Sequence, residues 1–233
     1  IRRTRTEIEQ YYYDDLEKQG LTFPKLGAPE QIIYTFDETT DGIFTETIAA
    51  IKDFTYARYK PLTYLKDTKK YAQLLAAKHN MGGFMKGILV KRLESSFYAF
   101  RMTLQRFIDS YERFINMYKT IGEVWISKKV DVYDLLDSGE IDKLMQMVED
   151  ENGFHFNISE FKSNFIIDLN KDLSKLKYLR DLCDSITVDP KLETFTYELE
   201  HNKKLLGNKK IIFTESKETA DYLEQKFQAL YGK

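Results

Sequence analysis

Residues Val90 to Ile121 read VKRLESSFYAFRMTLQRFIDSYERFINMYKTI, and they contain the strongest fold signal in the chain. Apolar side chains recur through it at spacings of three and four residues, the periodicity of one face of a helix. The seam consists of Val90, Leu93, Phe97, Phe100, Leu104, Phe107, Tyr111, Phe114, Tyr118 and Ile121. Because the seam spans more than four heptads, it predicts one long helix that packs against a second helix as in a coiled coil.

The second helix of this pair is predicted between Glu160 and Ile186, where a similar apolar stripe runs. That stripe consists of Ile166, Leu169, Leu173, Leu176 and Cys183. Between the two helices, Lys129 to Asp150 predicts two short helices around Ser138 and Gly139. The expected fold class is therefore mainly α, a long antiparallel helical hairpin or bundle with a small helical tip.

The residues before the long helix show a short β pattern and two further helices. Gln31 to Phe36 (QIIYTF) is β-branched and aromatic, which predicts a strand. From Asp41 the apolar residues follow helical spacing, which predicts one helix, and another helix is expected from Asp67 to His79. The Gly82-Gly83 pair marks a break before the long helix.

The last part of the chain changes character again. Asp189-Pro190 is a strong helix start, since Asp caps a helix and Pro suits its first position. That helix is expected to end near Lys204. Lys210 to Thr214 (KIIFT) predicts a buried strand, and Ser216 to Leu230 predicts an amphipathic helix. A strand, a short loop and a helix form half of a βαβ unit, so we expect the start of an α/β lobe here and a larger parent protein.

Composition limits the classes of function. The chain carries 35 basic and 37 acidic residues, a net charge of −2, so it lacks the basic excess of a protein that binds DNA by itself. Its sequence contains no run long and apolar enough to span a membrane. The single Cys183 excludes an internal disulfide and predicts a cytoplasmic location. His79, His155 and His201 have no metal-ligand spacing with that cysteine, so no metal site is expected.

Four segments, in order, resemble parts of the Swi/Snf-type helicase-like ATPases of superfamily two, in their bacterial branch. Arg2-Arg3-Thr4-Arg5 with Phe23-Pro24-Lys25 is similar to the family's exit box from the first RecA-like lobe, with Arg5 where Lys is usual. Leu89 to Phe100 (LVKRLESSFYAF) resembles a "LLKRLESS" box on the helical insert. Asp189 to Glu193 (DPKLE) resembles the first helix of the second lobe, and Lys210 to Leu223 resembles helicase motif IV.

The resemblance implies a division of the chain into three parts. Residues 1–40 would be the exit segment of the first lobe, residues 41–187 the helical connector, and residues 188–233 the beginning of the second lobe. The intact parent would hydrolyse ATP with Mg²⁺ between its two lobes and act on nucleic acid, most commonly duplex DNA. Its partners would be nucleic acid and the remaining lobes of the same polypeptide.

The chain lacks the groups that ATP hydrolysis needs. Its sequence contains no Gly-x-x-x-x-Gly-Lys-Ser/Thr loop for the phosphates, and the late arginine motif of the second lobe is missing. Asp37-Glu38 follows an apolar run and imitates an acidic Mg²⁺ motif, but a loop after a strand is the better interpretation. We therefore expect no catalytic residue and no activity from this chain alone.

The candidate site residues are basic groups within the resembling segments. Arg2, Arg3, Arg5, Lys91 and Arg92 are expected to contact nucleic acid or a neighbouring lobe, although a frayed terminus or a solvated face would equally account for them. Arg106 and Arg113 share the heptad position of Arg92, and solvated local ion pairs are favoured for them. By resemblance, Phe213, Thr214 and Glu215 belong to the motif IV-like segment.

A second class of function fits the same seam. A stand-alone helical module for protein–protein interaction would use such a long helix to bind another helix. The flanking coding sequence separates the two hypotheses, because a Gly-Lys-Thr loop upstream and a Gln/Arg-rich motif downstream would identify a motor.

Overall fold

The computed structural model describes residues 4–23, 27–71, 81–126, 154–207 and 209–232. The chain divides into two compact units, residues 1–33 and residues 34–233. In the first unit, helix α1 (Arg5–Tyr11) is followed by helix α2 (Tyr13–Lys18). Thr4 begins α1 with a capping box, since its hydroxyl accepts from the Glu7 amide while the Glu7 carboxylate accepts from the Thr4 amide.

The second unit is built on an antiparallel pair of helices, as the seam predicts. Helix α5 (Phe97–Thr120) and helix α6 (Asn164–Asp184) run side by side. An ion pair between Arg101 and Asp184 joins one end, and Phe114 meets Phe165 towards the other. Because residues late in one helix meet residues early in the other, the pair is antiparallel. We refer to it as the α5–α6 hairpin.

A small sheet continues the α5–α6 hairpin. Strand β1 (Glu123–Ile126) pairs antiparallel with strand β2 (Phe154–Asn157), with Val124 opposite Phe156. Gly122 separates α5 from β1 with a φ of 74°, a left-handed conformation that favours glycine at a helix end. Within the described residues this two-stranded sheet is the whole of the β structure apart from a single bridge between Leu65 and Phe161.

Aromatic side chains fill the core between α5 and α6. Phe165 is fully buried, and its ring contacts those of Tyr64, Phe161, Tyr118 and Phe114 at centroid distances of 4.7 to 6.0 Å. The seam residues of α5 from Phe97 to Phe114 are buried, whereas Ile121 at its end is exposed. The aromatic residues of the seam from Phe97 to Phe114 therefore serve core packing.

The predicted single long helix is in fact two. Helix α4 (Met81–Ser95) ends at Ser95, and α5 begins at Phe97. Ser96 between them is extended, with φ −166° and ψ 153°, and its hydroxyl accepts from the Ala99 amide at 3.0 Å. The seam continues through the break because Leu93 and Phe97 are both buried, so periodicity alone does not reveal the break.

A buried carboxylate fixes the turn that follows helix α3 (Glu38–Asp53). Asp172 of α6 accepts hydrogen bonds from the amides of Thr55 (2.9 Å) and Ala57 (2.8 Å) and from the Tyr111 hydroxyl (3.0 Å). Between those two amides lies Tyr56, whose φ of 57° is unusual for a residue with a side chain. Burial raises the pKa of the Asp172 carboxyl, and the three hydrogen bonds oppose that rise only in part. We call this arrangement the Asp172 clamp.

Two predicted strands do not form. Residues 31–36 and 210–214 have no strand pairing in the described part of the chain, and Ile33, Ile211 and Phe213 are 74%, 81% and 89% exposed. A strand needs a neighbour to satisfy its backbone, and neither segment has one in the described residues. In the first segment Phe36 instead packs its ring on Phe44 and Phe97.

The remaining predicted helices have mixed outcomes. The helix predicted from Asp41 is present as α3, which starts at Glu38 after the cap residue Asp37. Of the helix predicted over Asp67–His79, the part up to Tyr71 forms turns, and residues 72–80 lie outside the described residues, as does the predicted tip Lys129–Asp150. Helix α7 (Pro190–His201) and helix α8 (Lys217–Tyr231) confirm the predicted helices with their predicted caps, Asp189 and Ser216.

Candidate functional site

The site lies where α4 gives way to α5 and where α7 and α8 begin. We call it the helix junction and define it by Arg92, Ser95, Ser96, Arg106, Lys191, Ser216, Glu218 and Thr219. Local sequence creates it, because Ser96, Asp189 and Ser216 are helix-capping residues that each start a helix at this place. Three helix starts and one helix end therefore meet in a small volume.

Glu218 of α8 is the centre of the helix junction. Its Oε2 accepts from Nη1 of Arg92 at 3.1 Å, and its Oε1 accepts from Nη1 of Arg106. The Arg92 and Glu218 side chains are only 9% and 12% exposed, whereas Arg106 is 32% exposed. The Ser216 hydroxyl also donates to Glu218 at 2.7 Å. One carboxylate thus compensates two guanidinium groups, one of which is almost wholly buried.

These contacts determine the charge state of Glu218. Burial by itself would raise the pKa of this carboxyl, but the hydrogen bonds from Ser216, its own backbone and Arg106, with the charge of Arg92, outweigh burial. The net result lowers the pKa of Glu218 from 4.5 to about 2. The carboxylate is consequently ionised throughout the physiological pH range.

Hydroxyl groups and an aromatic stack surround the charges. The Thr219 hydroxyl lies 2.8 Å from that of Ser95 and 3.1 Å from that of Ser96. One turn further along α8, Tyr222 stacks on Tyr98 of α5 at a centroid distance of 4.8 Å. The Tyr222 hydroxyl donates to the Asp189 carboxylate at 3.1 Å, which ties α8 to the start of α7.

Lys191 binds the exposed backbone at the end of α4. Its amine donates to the carbonyl of Glu94 at 2.9 Å and to that of Ser95 at 3.1 Å. The last carbonyls of a helix have no partner within the helix and carry the negative end of its dipole, so a lysine there is stabilising. The same amine lies 5.9 Å from the centre of the Tyr34 ring.

The low pKa of Glu218 makes the stability of the docked α8 depend on pH. A carboxyl whose pKa falls on folding contributes stability that is fully present above its unfolded value, here 4.5, and is lost as pH falls towards about 2. From about pH 6 to about pH 3, wild type should lose about 2 kcal/mol through this group. Urea denaturation at both pH values, compared with Glu218→Gln, should show the two proteins converging at low pH.

An exposed carboxylate on the same helix provides the control. Glu224 lies on the outer face of α8, so Glu224→Gln should follow wild type at both pH values. An equal stability difference between wild type and Glu218→Gln at both pH values would contradict the assignment of an ionised, partly buried Glu218.

The predicted basic residues have different surroundings. Arg2 and Arg3 lie outside the described residues. Arg5 is the first residue of α1, where it pairs with Glu9 at 2.7 Å and lies 5.4 Å from the centre of the Phe23 ring. Lys91 is exposed on α4, but the adjacent Arg92 is buried in the ion pair with Glu218. Lys91 and Arg92 therefore do not form one accessible basic surface in this conformation.

Of the motif IV-like segment, the predicted site residues Phe213, Thr214 and Glu215 lie outside the helix junction. Phe213 and Glu215 are exposed, and the Thr214 hydroxyl accepts from the Ser216 amide at 3.3 Å, just before α8 begins. The prediction of solvated local ion pairs does not hold for Arg106, which pairs with the partly buried Glu218 of a distant helix. Arg113, at the same heptad position, is exposed.

Sequence reasoning did not find the residues that complete the helix junction. Glu218 and Thr219 follow a recognised cap, and nothing local distinguishes them from other residues in the first turn of a helix. Their partners lie 112 to 126 positions away along the chain. The sequence signal for the helix break at this site was the pair of adjacent serines within the apolar seam, since serine favours helix starts over helix interiors.

Other kinds of site find no support among the described residues. Within ranges 4–23, 27–71, 81–126, 154–207 and 209–232, no three His, Cys, Asp or Glu residues are grouped to hold a metal ion. Cys183 is buried, which raises the pKa of its thiol to about 12 and makes it a poor nucleophile. No helix of these same ranges is long and apolar enough to cross a membrane.

Comparison of the chain with protein-family models, with curated proteins and with solved structures found no match.

Proposed function

We propose that this chain is the helical connector between the two motor lobes of a Swi/Snf-type, ATP-dependent nucleic-acid translocase. One observation carries the proposal: three of the four resembling segments meet at the helix junction. Arg92 of the KRLESS segment pairs with Glu218 of the motif IV-like segment, and Lys191 of the DPKLE segment binds the carbonyls of Glu94 and Ser95. Segments about 100 residues apart in the chain thus form one contact, as an inter-lobe connector requires.

The close packing of the α5–α6 hairpin is consistent with this role. A connector between moving lobes must transmit orientation, so it needs an element that does not bend. The aromatic core around Phe165 and the Asp172 clamp hold α5, α6 and the turn after α3 together. In the proposal, the contacts of the helix junction then set the orientation of α7 and α8, which begin the proposed second lobe.

The ATP chemistry of the proposed parent would lie outside this chain. The sequence contains no phosphate-binding loop, and the helix junction offers arginines and hydroxyls but no acidic pair for Mg²⁺. The residues described here therefore do not fit a nucleotide–Mg²⁺ site. In the proposal, the other parts of the parent would hold ATP and Mg²⁺, and this chain would couple their closure to nucleic acid.

The proposal predicts that Lys91 contributes to binding of duplex DNA. Each lysine that contacts a phosphate releases counterions, so binding should weaken as salt rises. Lys91→Ala should lower affinity uniformly across DNA sequences and reduce the slope of log K against log salt by about 1. Fluorescence anisotropy of a labelled duplex, titrated with the chain at two salt concentrations, measures both quantities.

Lys119 provides a matched control for this experiment. It is an exposed lysine in the last turn of α5, away from the helix junction, so Lys119→Ala should retain wild-type binding. An absence of binding by wild type even at low salt would contradict DNA contact by the connector. Equal losses of DNA affinity in both variants would indicate nonspecific charge attraction and would also count against DNA contact by the connector.

The exposed apolar segment before α8 favours the second candidate, a helical module for protein–protein interaction. Ile211 and Phe213 are among the most exposed large apolar residues in the described part of the chain. Such side chains are expected to contact another polypeptide surface. A Gly-Lys-Thr loop in the upstream coding sequence would favour the motor, whereas stop codons at both ends would favour the interaction module.

A further inference from the structure

The contact of α8 with α4 and the start of α5 is polar, unlike the core of the same unit. Thr219 is the buried residue of α8, and α7 buries none of its residues. The contact depends on the Glu218 ion pairs, the hydroxyls of Ser95 and Ser96, and the Tyr98–Tyr222 stack. Because little apolar surface is buried, α8 can separate from α4 and α5 at a far lower cost than unfolding of the core.

Separation of α8 would leave a specific set of groups on α4 and α5. Arg92 and Arg106 bind different oxygens of one carboxylate, so their guanidinium groups already converge on a single anion. The hydroxyls of Ser95 and Ser96 would lose Thr219 and become donors at the same place. Two guanidinium groups and two hydroxyls are a suitable set for a phosphate group, which offers more acceptor oxygens than a carboxylate.

Electrostatics couples the loss of Glu218 to the arrival of another anion. Two neighbouring guanidinium groups repel one another once their common carboxylate has left, so the separated state is stabilised by any anion that replaces it. An anion that binds only this state shifts the population towards it. The apparent affinity of the wild-type protein for such an anion is reduced in proportion to the small fraction of molecules in which α8 is separated.

We propose that Arg92 and Arg106 form a latent receptor for a phosphate group of a nucleic-acid backbone, which Glu218 occupies while α8 is docked. The nucleic-acid source of the phosphate rests on the proposed function, whereas the anion site does not. In this arrangement Glu218 competes with the phosphate for Arg92 and Arg106. Release of α8 exchanges an internal carboxylate for an external phosphate. The exchange would give the connector a second DNA contact besides Lys91 that exists only in one position of the helices.

Two variants that release α8 by different means test the proposal. Glu218→Gln removes the competing charge, and its control Glu224→Gln makes the same change of net charge on the outer face of α8. Tyr222→Ala removes the stack on Tyr98 and the bond to Asp189 without changing any charge. Both Glu218→Gln and Tyr222→Ala should bind a duplex about tenfold more tightly than wild type, with a steeper salt dependence.

Arg106→Gln identifies the site within those variants. Added to Glu218→Gln or to Tyr222→Ala, it should abolish the gain in affinity, because Arg106 stays on the hairpin as a member of the receptor. Inorganic pyrophosphate, titrated against the same proteins and followed by thermal denaturation, separates the anion site from nucleic-acid binding. It should stabilise Glu218→Gln and leave Glu224→Gln unchanged.

The variants can gain affinity for duplex DNA, stabilisation by pyrophosphate, or both. If both gains appear and Arg106→Gln removes them, the results support the receptor. A gain for pyrophosphate alone supports the anion site and counts against nucleic acid as its ligand, and thus against the proposed function. Unchanged affinity in Tyr222→Ala overturns the proposal even where Glu218→Gln fails to fold, and Lys91-dependent DNA binding by wild type would still support the proposed function in that case.

Discussion

Asp172→Ala should lower the free energy of unfolding by about 4 kcal/mol, one of the two largest single-residue effects expected in this chain. The change removes the acceptor for the amides of Thr55 and Ala57 and for the Tyr111 hydroxyl. The Ala57 amide and the Tyr111 hydroxyl remain buried, and the Thr55 amide partly buried, without a replacement acceptor. Each unsatisfied buried donor costs about 1 to 3 kcal/mol. Urea denaturation followed by circular dichroism gives the free energy directly.

Asp168→Ala is the matched control for the Asp172 clamp. Asp168 lies one turn earlier on α6 and accepts a single bond, from the Tyr64 hydroxyl at 2.9 Å, at a partly buried position. Its loss should cost about 1 kcal/mol. The loss of unfolding free energy for Asp172→Asn should fall between the losses of the two alanine variants. The asparagine side chain keeps one acceptor oxygen, but its NH2 group faces another hydrogen-bond donor. Equal losses for Asp172→Ala and Asp168→Ala would contradict the clamp.

Phe165→Ala should destabilise the fold to a similar extent, by about 4 kcal/mol. Phe165 is fully buried and its ring contacts four other aromatic rings, so truncation leaves a cavity that those rigid rings cannot fill. Phe165→Leu retains most of the volume and should cost only about 1 kcal/mol. The difference between the two variants in urea denaturation measures the contribution of the cavity.

The control for Phe165 is a phenylalanine outside the core. Phe195 of α7 is only partly buried and contacts one ring, that of Phe227, at 5.9 Å. Phe195→Ala should therefore cost about 1 kcal/mol or less, since little apolar area is lost from burial. A loss for Phe195→Ala that matched the loss for Phe165→Ala would place the stability of this unit in the α7–α8 region and contradict the core described here.

The α5–α6 hairpin was predictable because its signals are local. Helical periodicity places Phe100, Phe107 and Tyr111 on one face, and all three are buried. The caps Asp189 and Ser216 were equally predictable from the sequence, since a capping side chain accepts hydrogen bonds from amides two or three residues away. Features that depend on neighbours in sequence are accessible to sequence reasoning.

The errors concern contacts between distant residues. The segments at residues 31–36 and 210–214 have the composition of strands but no strand partner in the described residues, and composition cannot supply one. The seam concealed the break at Ser96, because its apolar side chains remain buried on both sides of the break. The partners of Arg92 and Arg106 were missed because Glu218 lies more than 100 residues further along the chain.

The Asp172 clamp also has a consequence for the order of folding. Its bonds to Thr55 and Ala57 close loops of 117 and 115 residues, whereas its bond to Tyr111 closes one of 61 residues. The entropy cost of closure grows with loop length, so α5 and α6 can associate before the turn around Tyr56 reaches them. A contact formed late contributes to the barrier against unfolding and little to the speed of folding. The clamp would thus set how long the folded unit persists, while the aromatic seam sets how fast it assembles.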